Sequence, residues 1–325
     1  MKGWPFFLFS NPFTLPAFAK INLALHVLGL RPDNYHELNT VFQTVTLHDN
    51  LTFARSPDDG VWLTCDEPDI PLDRKNTIVR AAKLLRHTFN ISTGVSVHLE
   101  KHIPAAGGLG GGSSDAAVAL LGLSHFWGIN LTLRELENMG ARLGADVPFF
   151  FTGGTAFGAG IGTQISALPD ALSAHLVIVT PNVKVSTAEA YKALNAPALT
   201  KVAGDTILPS SPLGTDFSDS LYGELRNDFE AVIFSAYPEI LKAREFLMRN
   251  GARGALLAGS GSSVFGIFDK VELQARAADA LQAKTEWRVF QCTTLSRARY
   301  LKDLGECATP LVHALPAEER FDIGA

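Results

Sequence analysis

The chain has 325 residues, of which 46% are hydrophobic and 19% are charged, and its formal net charge is −5. This composition suits one large or two moderate globular domains, and the absence of any run rich in Lys and Arg argues against nucleic acid as a partner. The three cysteines, Cys65, Cys292 and Cys307, lie far apart and follow no metal-ligand spacing. They argue against a disulfide framework or a zinc site and favour a reducing cytoplasm.

Residues 1–19 superficially resemble a signal peptide, because Lys2 precedes apolar residues and "AFA" (17–19) imitates a cleavage site. Three prolines and Asn11 interrupt this stretch, so we expect no export. No other segment approaches the ~20 apolar residues of a membrane span, and no membrane contact is expected.

In chain order, the first third reads as strands and turns. Alternating, β-branched or aromatic residues predict strands in "AKINLALHVLGL", over 38–55 with a turn at Asp49-Asn50, over 61–68 and over 94–103. Apolar spacing over 76–90 predicts a helix with Asn76 as its N-cap.

Helices and strands alternate in the remainder of the chain. Helices are predicted over 114–128, over 132–144 with a Thr132/Glu135 capping box, over 186–194, over 227–251 with a break at Pro238, and over 270–284. Strands are predicted over 175–181, on both sides of a glycine turn in 252–268, and over 287–295. Residues 197–219 read as a long loop and residues 306–325 as a loosely attached tail. The pattern favours an α+β fold.

A glycine-rich stretch, "PAAGGLGGGSSDAAVALLGL" (104–123), stands directly before a predicted buried helix, and five of the six residues 107–112 are glycine. Glycine lets the backbone approach a bound group, and a helix start offers free N–H groups and a positive dipole end, so the pattern favours a phosphate site. A Walker A loop does not fit because no Lys follows the glycines. A Rossmann fingerprint does not fit because Ser113 replaces its third glycine. A flexible turn is the structural alternative.

Four motifs resemble the GHMP kinases, which include galactokinase, homoserine kinase and mevalonate kinase. They are "AKINLALHVLGLRPDNYHELNTVFQTV", "PAAGGLGGGSSDAA", "LGADVPFFFTGGTAFGAGIG" and "LLAGSGSSVFGIF", in that order. The resemblance implies a two-domain α+β fold with the active site in the cleft between the domains. It implies an ATP-binding domain of ribosomal-protein-S5-like type (1–165), a ferredoxin-like substrate-side domain (166–305) and a C-terminal tail (306–325).

The resemblance also implies that ATP binds along the glycine loop, with Mg²⁺ beside it. The implied ATP-binding residues are Pro104, Ala105, Ala106, Gly107, Gly108, Leu109, Gly110, Gly111, Gly112, Ser113 and Ser114, with Asn76 and Lys101 on the adenine side. The sequence does not fix the Mg²⁺ ligands, for which Ser113 or Ser114 are candidates. Asp115 would repel phosphates if it faced them, so we expect it to point away.

Asp146 and Lys20 match the catalytic positions of the family. Asp146 would take the proton of the acceptor hydroxyl, and Lys20 would pair with it and steady the charge of the transferred phosphoryl group. The structural alternatives are that Asp146 caps a turn before Pro148 and that Lys20 ends a strand in water. Burying an unpaired lysine in an apolar strand would be costly, which favours the pair.

The acceptor side is implied by a further set of residues. They are Asn22, on the same strand face as Lys20, then Tyr35, His36, Thr187, Tyr191, Gly259, Ser260 and Gly261. The extra glycines of "PAAGGLGGGSSDAA" make the motifs most similar to the branch that phosphorylates a cytidine diphosphate-linked methylerythritol on the non-mevalonate isoprenoid pathway. By that resemblance Tyr35 and His36 look like the pair of the cytidine pocket and Tyr191 like the ring that stacks on the cytosine, since a flat base needs an aromatic face and edge hydrogen bonds. Asn34 stands where that branch often has glycine, and asparagine tolerates the left-handed turn.

Three other functions stay open at this point. Another GHMP kinase, of homoserine or mevalonate type, would have no base to stack on Tyr191. A nucleotide-binding module without catalysis would not need Asp146 and Lys20, and a dinucleotide oxidoreductase would bind NAD(P)H. The expected partner is a small molecule, and the chain is expected to act as a monomer or homodimer.

Overall fold

The computed structural model describes residues 11–171, 173–199, 225–283 and 286–322. Two long strands, β1 and β2, pair antiparallel and form the centre of a seven-stranded sheet with the order β3-β4-β2-β1-β8, to which β5 adds on β2 and β6 on β5. The strands are β1 Phe13–Leu30, β2 His36–Ala54, β3 Val61–Cys65, β4 Val95–Glu100, β5 Thr155–Gly160, β6 Gln164–Ala167 and β8 Arg226–Asn227.

Three helices cover one side of this sheet: α1 Thr77–Phe89, α2 Gly111–Phe126 and α3 Leu133–Leu143. The predicted caps are confirmed, because Asn76 accepts from Ile78 N and Thr132 forms the capping box with Glu135. The apolar helix α2 lies between the sheet and the outer helices, and nearly all of its residues are buried. We call this sheet with its helices the first unit.

The second unit is a four-stranded antiparallel sheet of order β11-β7-β10-β9. Its strands are β7 His175–Thr180, β9 Gly254–Leu257, β10 Val264–Phe268 and β11 Arg288–Thr293; its helices are α4 Thr187–Leu194, α5 Glu230–Ala236, α6 Pro238–Arg249 and α7 Val271–Gln282. This order is that of a ferredoxin-like fold. The predicted break at Pro238 is confirmed, since α6 begins there.

The two sheets pack against each other through a shared apolar cluster. Ala19, Ile21 and Leu23 of β1 join Ile178 of β7 and Phe265 of β10 in it. Successive side chains of a strand point to opposite faces, so the intervening Lys20 and Asn22 face away from this cluster. The packing of the sheets therefore turns these two polar side chains towards the cleft described below.

The prediction of a loose tail over 306–325 is wrong for its first half. Helix α8 Arg297–Asp303, just before the tail, and helix α9 Thr309–His313, within it, both return to the first unit. Tyr300, Leu311 and Val312 are buried in its core cluster. Residues 307–312 of the tail therefore pack as part of the domain, whereas most of the described residues from 313 to 322 are exposed. The predicted boundary between domains near residue 165 stays a prediction.

The predicted turn at Asp49-Asn50 is also wrong, because β2 runs through both residues. The Asp49 carboxylate accepts from the backbone N–H groups of His102 and Ile103 instead of turning its own chain. Most of the predicted loop over 197–219 lies outside the described residues. Among the described helices, none combines the length and apolarity needed to cross a bilayer.

Candidate active site

A cleft of about 810 Å³ opens between the two units. β1 and β2 form one wall, and α4 and the turn between β9 and β10 form the other, as predicted for an interdomain site. The predicted residues that line it are Lys20, Asn22, Tyr35, His36, Gly108, Gly110, Ser113, Asp146, Thr187, Tyr191, Gly259 and Ser260. Gly261 belongs to the same turn but does not line the cleft.

The glycine loop connects the end of β4 to α2, and its backbone is left-handed at Ala106, Gly108 and Gly110. A Cβ on Gly108 would lie 1.9 Å from the carbonyl oxygen of Ala258 in the second unit, and one on Gly110 would lie 2.8 Å from Lys20 Cγ. Glycine is therefore required where the loop meets the other glycine turn and the cleft lysine. The loop leads directly into the N-terminus of α2, which suits a phosphate group.

A second pocket of about 400 Å³ adjoins the cleft along the same loop. Residues 104–113 line it together with Asn76 and Lys101. Asn76 lies there with its side chain already bonded to Ile78 N and Pro71 O. Ser114 differs from the prediction, because its hydroxyl is buried with no hydrogen-bond partner among the described residues. One residue along a helix rotates the side chain by about 100°, so Ser113 faces the pocket and Ser114 the interior.

Lys20 and Asp146 form the predicted ion pair, with Lys20 Nζ 3.4 Å from Asp146 Oδ2. The lysine side chain is 4% exposed and that of the aspartate 35%, so the carboxylate is the more accessible member of the pair. Asp146 makes no side-chain capping bond to the turn that follows, which contradicts the alternative role as a cap.

A short network fixes the Lys20 ammonium group. Its Nζ donates to Asn22 Oδ1 at 2.8 Å and lies 5.5 Å from the centre of the Phe42 ring. Asn22 in turn donates to Thr40 Oγ1 at 2.8 Å, and Thr40 donates to the Ala24 carbonyl. Each hydrogen bond restricts the next side chain, so the ammonium group is held beside Asp146.

Aromatic rings form the far end of the cleft. The His36 ring stacks on Tyr191 with centroids 4.7 Å apart, and Phe229 meets Tyr191 edge-on at 4.8 Å. Burial raises the pKa of the Tyr191 hydroxyl, so it stays neutral. Tyr35 is 60% exposed, and Asn34 before it has the predicted left-handed φ of 64°. Thr187 shares a hydrogen bond of 3.0 Å with Ser260, and this bond joins α4 to the β9–β10 turn within one wall of the cleft.

Three buried charged side chains lie beneath the glycine loop. Lys101 Nζ forms ion pairs with Asp49 and, at 3.4 Å, with Asp115. Burial raises the pKa of Asp115 to about 8 against the opposing effect of Lys101, and the Asp49 carboxylate adds to the rise. The trio therefore links β2, the end of β4 and the start of α2. Asp115 turns towards Lys101 and also borders the smaller pocket along the loop, so its expected orientation away from phosphates stays a prediction.

Several residues of the site are not predicted from the sequence. Thr40, Phe42, Lys192 and Phe229 also line the cleft. A signal existed for the first two, since they alternate with His36 and Leu38 along β2 and so share a face. Asp49 had no local signal, because its partners lie more than fifty residues along the chain.

Comparisons with known proteins agree with this geometry. The model of the GHMP kinases N terminal domain matches residues 76–154, and the model of the GHMP kinases C terminal domain matches residues 215–286. A 4-diphosphocytidyl-2-C-methyl-D-erythritol kinase of Synechococcus sp. (strain JA-2-3B'a(2-13)) is 40% identical over 91% of this chain and 97% of its own. That of Chlorobium limicola is 42% identical over 85% of this chain and 94% of its own.

Solved structures show the same relationship. A crystal structure of 4-(cytidine 5'-diphospho)-2C-methyl-D-erythritol kinase matches with a TM-score of 0.71 and 33% identity, covering 87% of this chain and 99% of the other. A homoserine kinase from Cytophaga hutchinsonii matches with a TM-score of 0.65 and 16% identity, covering 90% and 98%, which shows the shared fold.

Proposed function

The chain belongs to the GHMP kinase family, in the branch of the 4-diphosphocytidyl-2-C-methyl-D-erythritol kinases, and on that premise we propose that it phosphorylates the 2-hydroxyl of 4-diphosphocytidyl-2-C-methyl-D-erythritol with ATP. The observation that carries the proposal is one cleft that contains a phosphate loop, the Lys20–Asp146 pair and a group of aromatic rings. The products would be the 2-phosphate and ADP, in isoprenoid precursor synthesis by the non-mevalonate pathway.

ATP would lie along the glycine loop, with its phosphates at the N-terminus of α2 and its adenosine in the smaller pocket. The loop's N–H groups and the helix dipole neutralise phosphate charge without any covalent chemistry, which is what phosphoryl transfer requires. Asn76 and Lys101 border that pocket and are our candidates for contacts on the adenine side.

Asp146 is the sole carboxylate among the described residues that line the cleft. It would orient the acceptor hydroxyl and accept its proton, and Lys20 would hold the carboxylate and stabilise charge on the moving phosphoryl group. Asn22 would donate to or accept from the same acceptor. Because the network to Thr40 fixes Lys20 before any ligand binds, these groups need little reorganisation.

The cytidine would occupy the aromatic end of the cleft. Tyr35 is exposed there, and the rings of His36 and Tyr191, stacked on each other, line the cleft and offer aromatic surface to a pyrimidine. The His36 ring offers hydrogen bonds to the edge of the base. Thr187, Gly259 and Ser260 border the space between base and phosphates.

Magnesium would accompany the ATP. The described residues contain no group of three or more His, Cys, Asp or Glu side chains arranged for a metal ion. This fits an ion that takes most of its ligands from phosphate oxygens and water, and Ser113, which borders both pockets, would be its side-chain ligand. When bound it would neutralise phosphate charge.

We also propose a cytoplasmic enzyme that acts as a monomer or homodimer, with Cys65, Cys292 and Cys307 as free thiols.

The deciding measurement is ADP release with Mg-ATP and 4-diphosphocytidyl-2-C-methyl-D-erythritol, alongside the same acceptor without cytidine. Asp146→Asn should lower kcat by about a hundredfold or more, since general-base help is worth about 10²–10⁴. Asp269→Asn, an exposed carboxylate in the second unit, is the matched control and should match the wild type. Turnover of homoserine or mevalonate in place of this acceptor would mean a GHMP kinase with a different pocket.

A further inference from the structure

Four consecutive residues, Asn227-Asp228-Phe229-Glu230, connect β8 to α5, and we call them the clamp segment. The helix predicted over 227–251 gives no role to the polar side chains of this segment. In the structure the polar side chains bond to β1 and to the glycine turn between β9 and β10 with the end of β9, and Phe229 packs on α4. The segment therefore links the two walls of the site.

Asn227 holds the glycine turn. Its side-chain amide donates to the Leu257 carbonyl at 2.8 Å and to the Gly259 carbonyl at 2.7 Å, and its Oδ1 accepts from Phe229 N at 3.0 Å. The residue is 4% exposed. Both N–H groups of the Asn227 amide donate inside the protein, so the carbonyl oxygens of Leu257 and Gly259 need no water. A substitution at 227 that cannot donate would leave these two carbonyl oxygens without a hydrogen bond.

The turn that Asn227 holds lies against the reacting groups. Gly259 is left-handed, and a Cβ on it would lie 2.9 Å from the Gly108 carbonyl oxygen of the phosphate loop and 3.4 Å from Lys20 Nζ. Ser262 N and Ser263 N donate to carbonyl oxygens of Ala106 and Gly107. A shift of this turn therefore shifts the phosphate loop and the surroundings of Lys20 together.

The other members of the clamp segment hold its two ends. Asp228 Oδ2 accepts from Val27 N of β1 at 2.9 Å, and Glu230 Oε1 accepts from Leu257 N at 2.9 Å. Phe229 is 1% exposed and packs edge-on against Tyr191. The segment thus has fixed contacts to the strand that carries Lys20 and to the aromatic end of the cleft.

We propose that Asn227 is a positioning residue of the reaction, which fixes the glycine turn relative to Lys20 and the phosphate loop without touching a substrate. The inference rests on the proposed function only in that the reaction is phosphoryl transfer from ATP to an alcohol. It needs no particular acceptor, because the side-chain hydrogen bonds of Asn227 all end on the protein backbone.

The test compares Asn227→Asp with Asn250→Asp in the full-length protein. The first variant keeps the side-chain shape but places a carboxylate against two carbonyl oxygens. The control also loses an amide-to-carbonyl bond, from Asn250 Nδ2 to Phe246 O at 2.8 Å, but at the end of α6. ADP binding measured by calorimetry gives the number of competent sites, so that turnover is expressed per site and partial unfolding is removed from kcat.

Asn227→Asp should lower kcat per ADP-binding site by about 10–100-fold, because displacements of about 1 Å cost that much in catalysis. Amide hydrogen exchange in a peptide covering residues 257–263 should become severalfold faster, on the order of 3–10-fold, as the turn opens locally. In Asn250→Asp both quantities should equal those of the wild type.

Wild-type exchange and per-site turnover in Asn227→Asp would overturn the inference, as would equal changes in the control. If Asn227→Asp binds no ADP, Asn227→Ser decides the matter by the same two readouts, since it removes the amide without adding charge. A wild-type protein inactive on the cytidine-bearing acceptor would contradict the proposed function instead. The same comparison then runs with the alcohol that the wild type does phosphorylate, and the exchange readout is independent of any acceptor.

Discussion

Gly108 is a residue of the phosphate loop that lies directly against the backbone of the second unit. A Cβ there would lie 1.9 Å from the Ala258 carbonyl oxygen, and φ is +76°. We expect Gly108→Ala to displace the loop and weaken ADP binding by about tenfold or more, which is about 1.4 kcal/mol or more. Calorimetric titration with Mg-ADP measures this.

Gly128→Ala is the matched control, because Gly128 has a similar φ of +65° with nothing within 4 Å of its Cβ position. Both substitutions carry the left-handed cost of about 1–2 kcal/mol, so their difference isolates the contact with Ala258. Equal ADP affinities in the two variants would show that the contact between glycine turns has no part in nucleotide binding.

Asp115 gives a second prediction, on the pH dependence of stability. Burial raises the pKa of this carboxyl to about 8 in the folded protein. Between about pH 4 and 8 the folded protein keeps a proton that the unfolded chain has released, so stability falls as pH rises through that window. Asp115→Asn removes this titration. Its free energy of unfolding relative to the wild type should therefore rise from pH 5 to pH 8 by at most about 1.4 kcal/mol per pH unit and stay level above.

Urea unfolding of both proteins at several pH values measures the difference. The groups that face Asp115 are Lys101 from the end of β4 and Asp49 from β2, and both stay in the variant. A difference that is constant with pH would mean that Asp115 is already ionised as a partner of Lys101.

At the scale of the secondary-structure element, the sequence predicts a feature correctly when the residues that cause it are close together in the chain. The caps at Asn76 and Thr132 could be predicted because their partners lie two or three residues away. The start of α2 could not, since Gly111 and Gly112 are weak helix formers and are helical here through the packing of the helix that follows. The sequence likewise predicts a turn at Asp49, because its bonds to His102 and Ile103 exist only after β2 and β4 have paired.

The glycine loop and the Lys20–Asp146 pair show how much of the site the sequence could predict. The loop is contiguous, and Lys20 with Asp146 lies in two recognisable motifs, so the pair was predicted and is confirmed. Phe229 and Asn227 were missed because their contacts depend on the position of α5 relative to α4 and β9. Residues that act through tertiary contacts have no periodicity or spacing of their own in the sequence.

At the scale of the whole molecule, the C-terminal residues complete the core of the first unit. Leu311 is 3% exposed within that core cluster, although the sequence predicted a loose end. Leu311→Ala should lower the free energy of unfolding by about 2–5 kcal/mol, the range for replacing a buried leucine by alanine, which loses apolar burial and leaves a cavity. Leu72→Ala, at a position 49% exposed, should change it by less than about 0.5 kcal/mol. Denaturant unfolding followed by circular dichroism distinguishes the two. Since Leu311 lines no part of the cleft, the ADP affinity of folded Leu311→Ala should equal that of the wild type. Equal stabilities of Leu311→Ala and Leu72→Ala would mean that the tail is loosely attached after all.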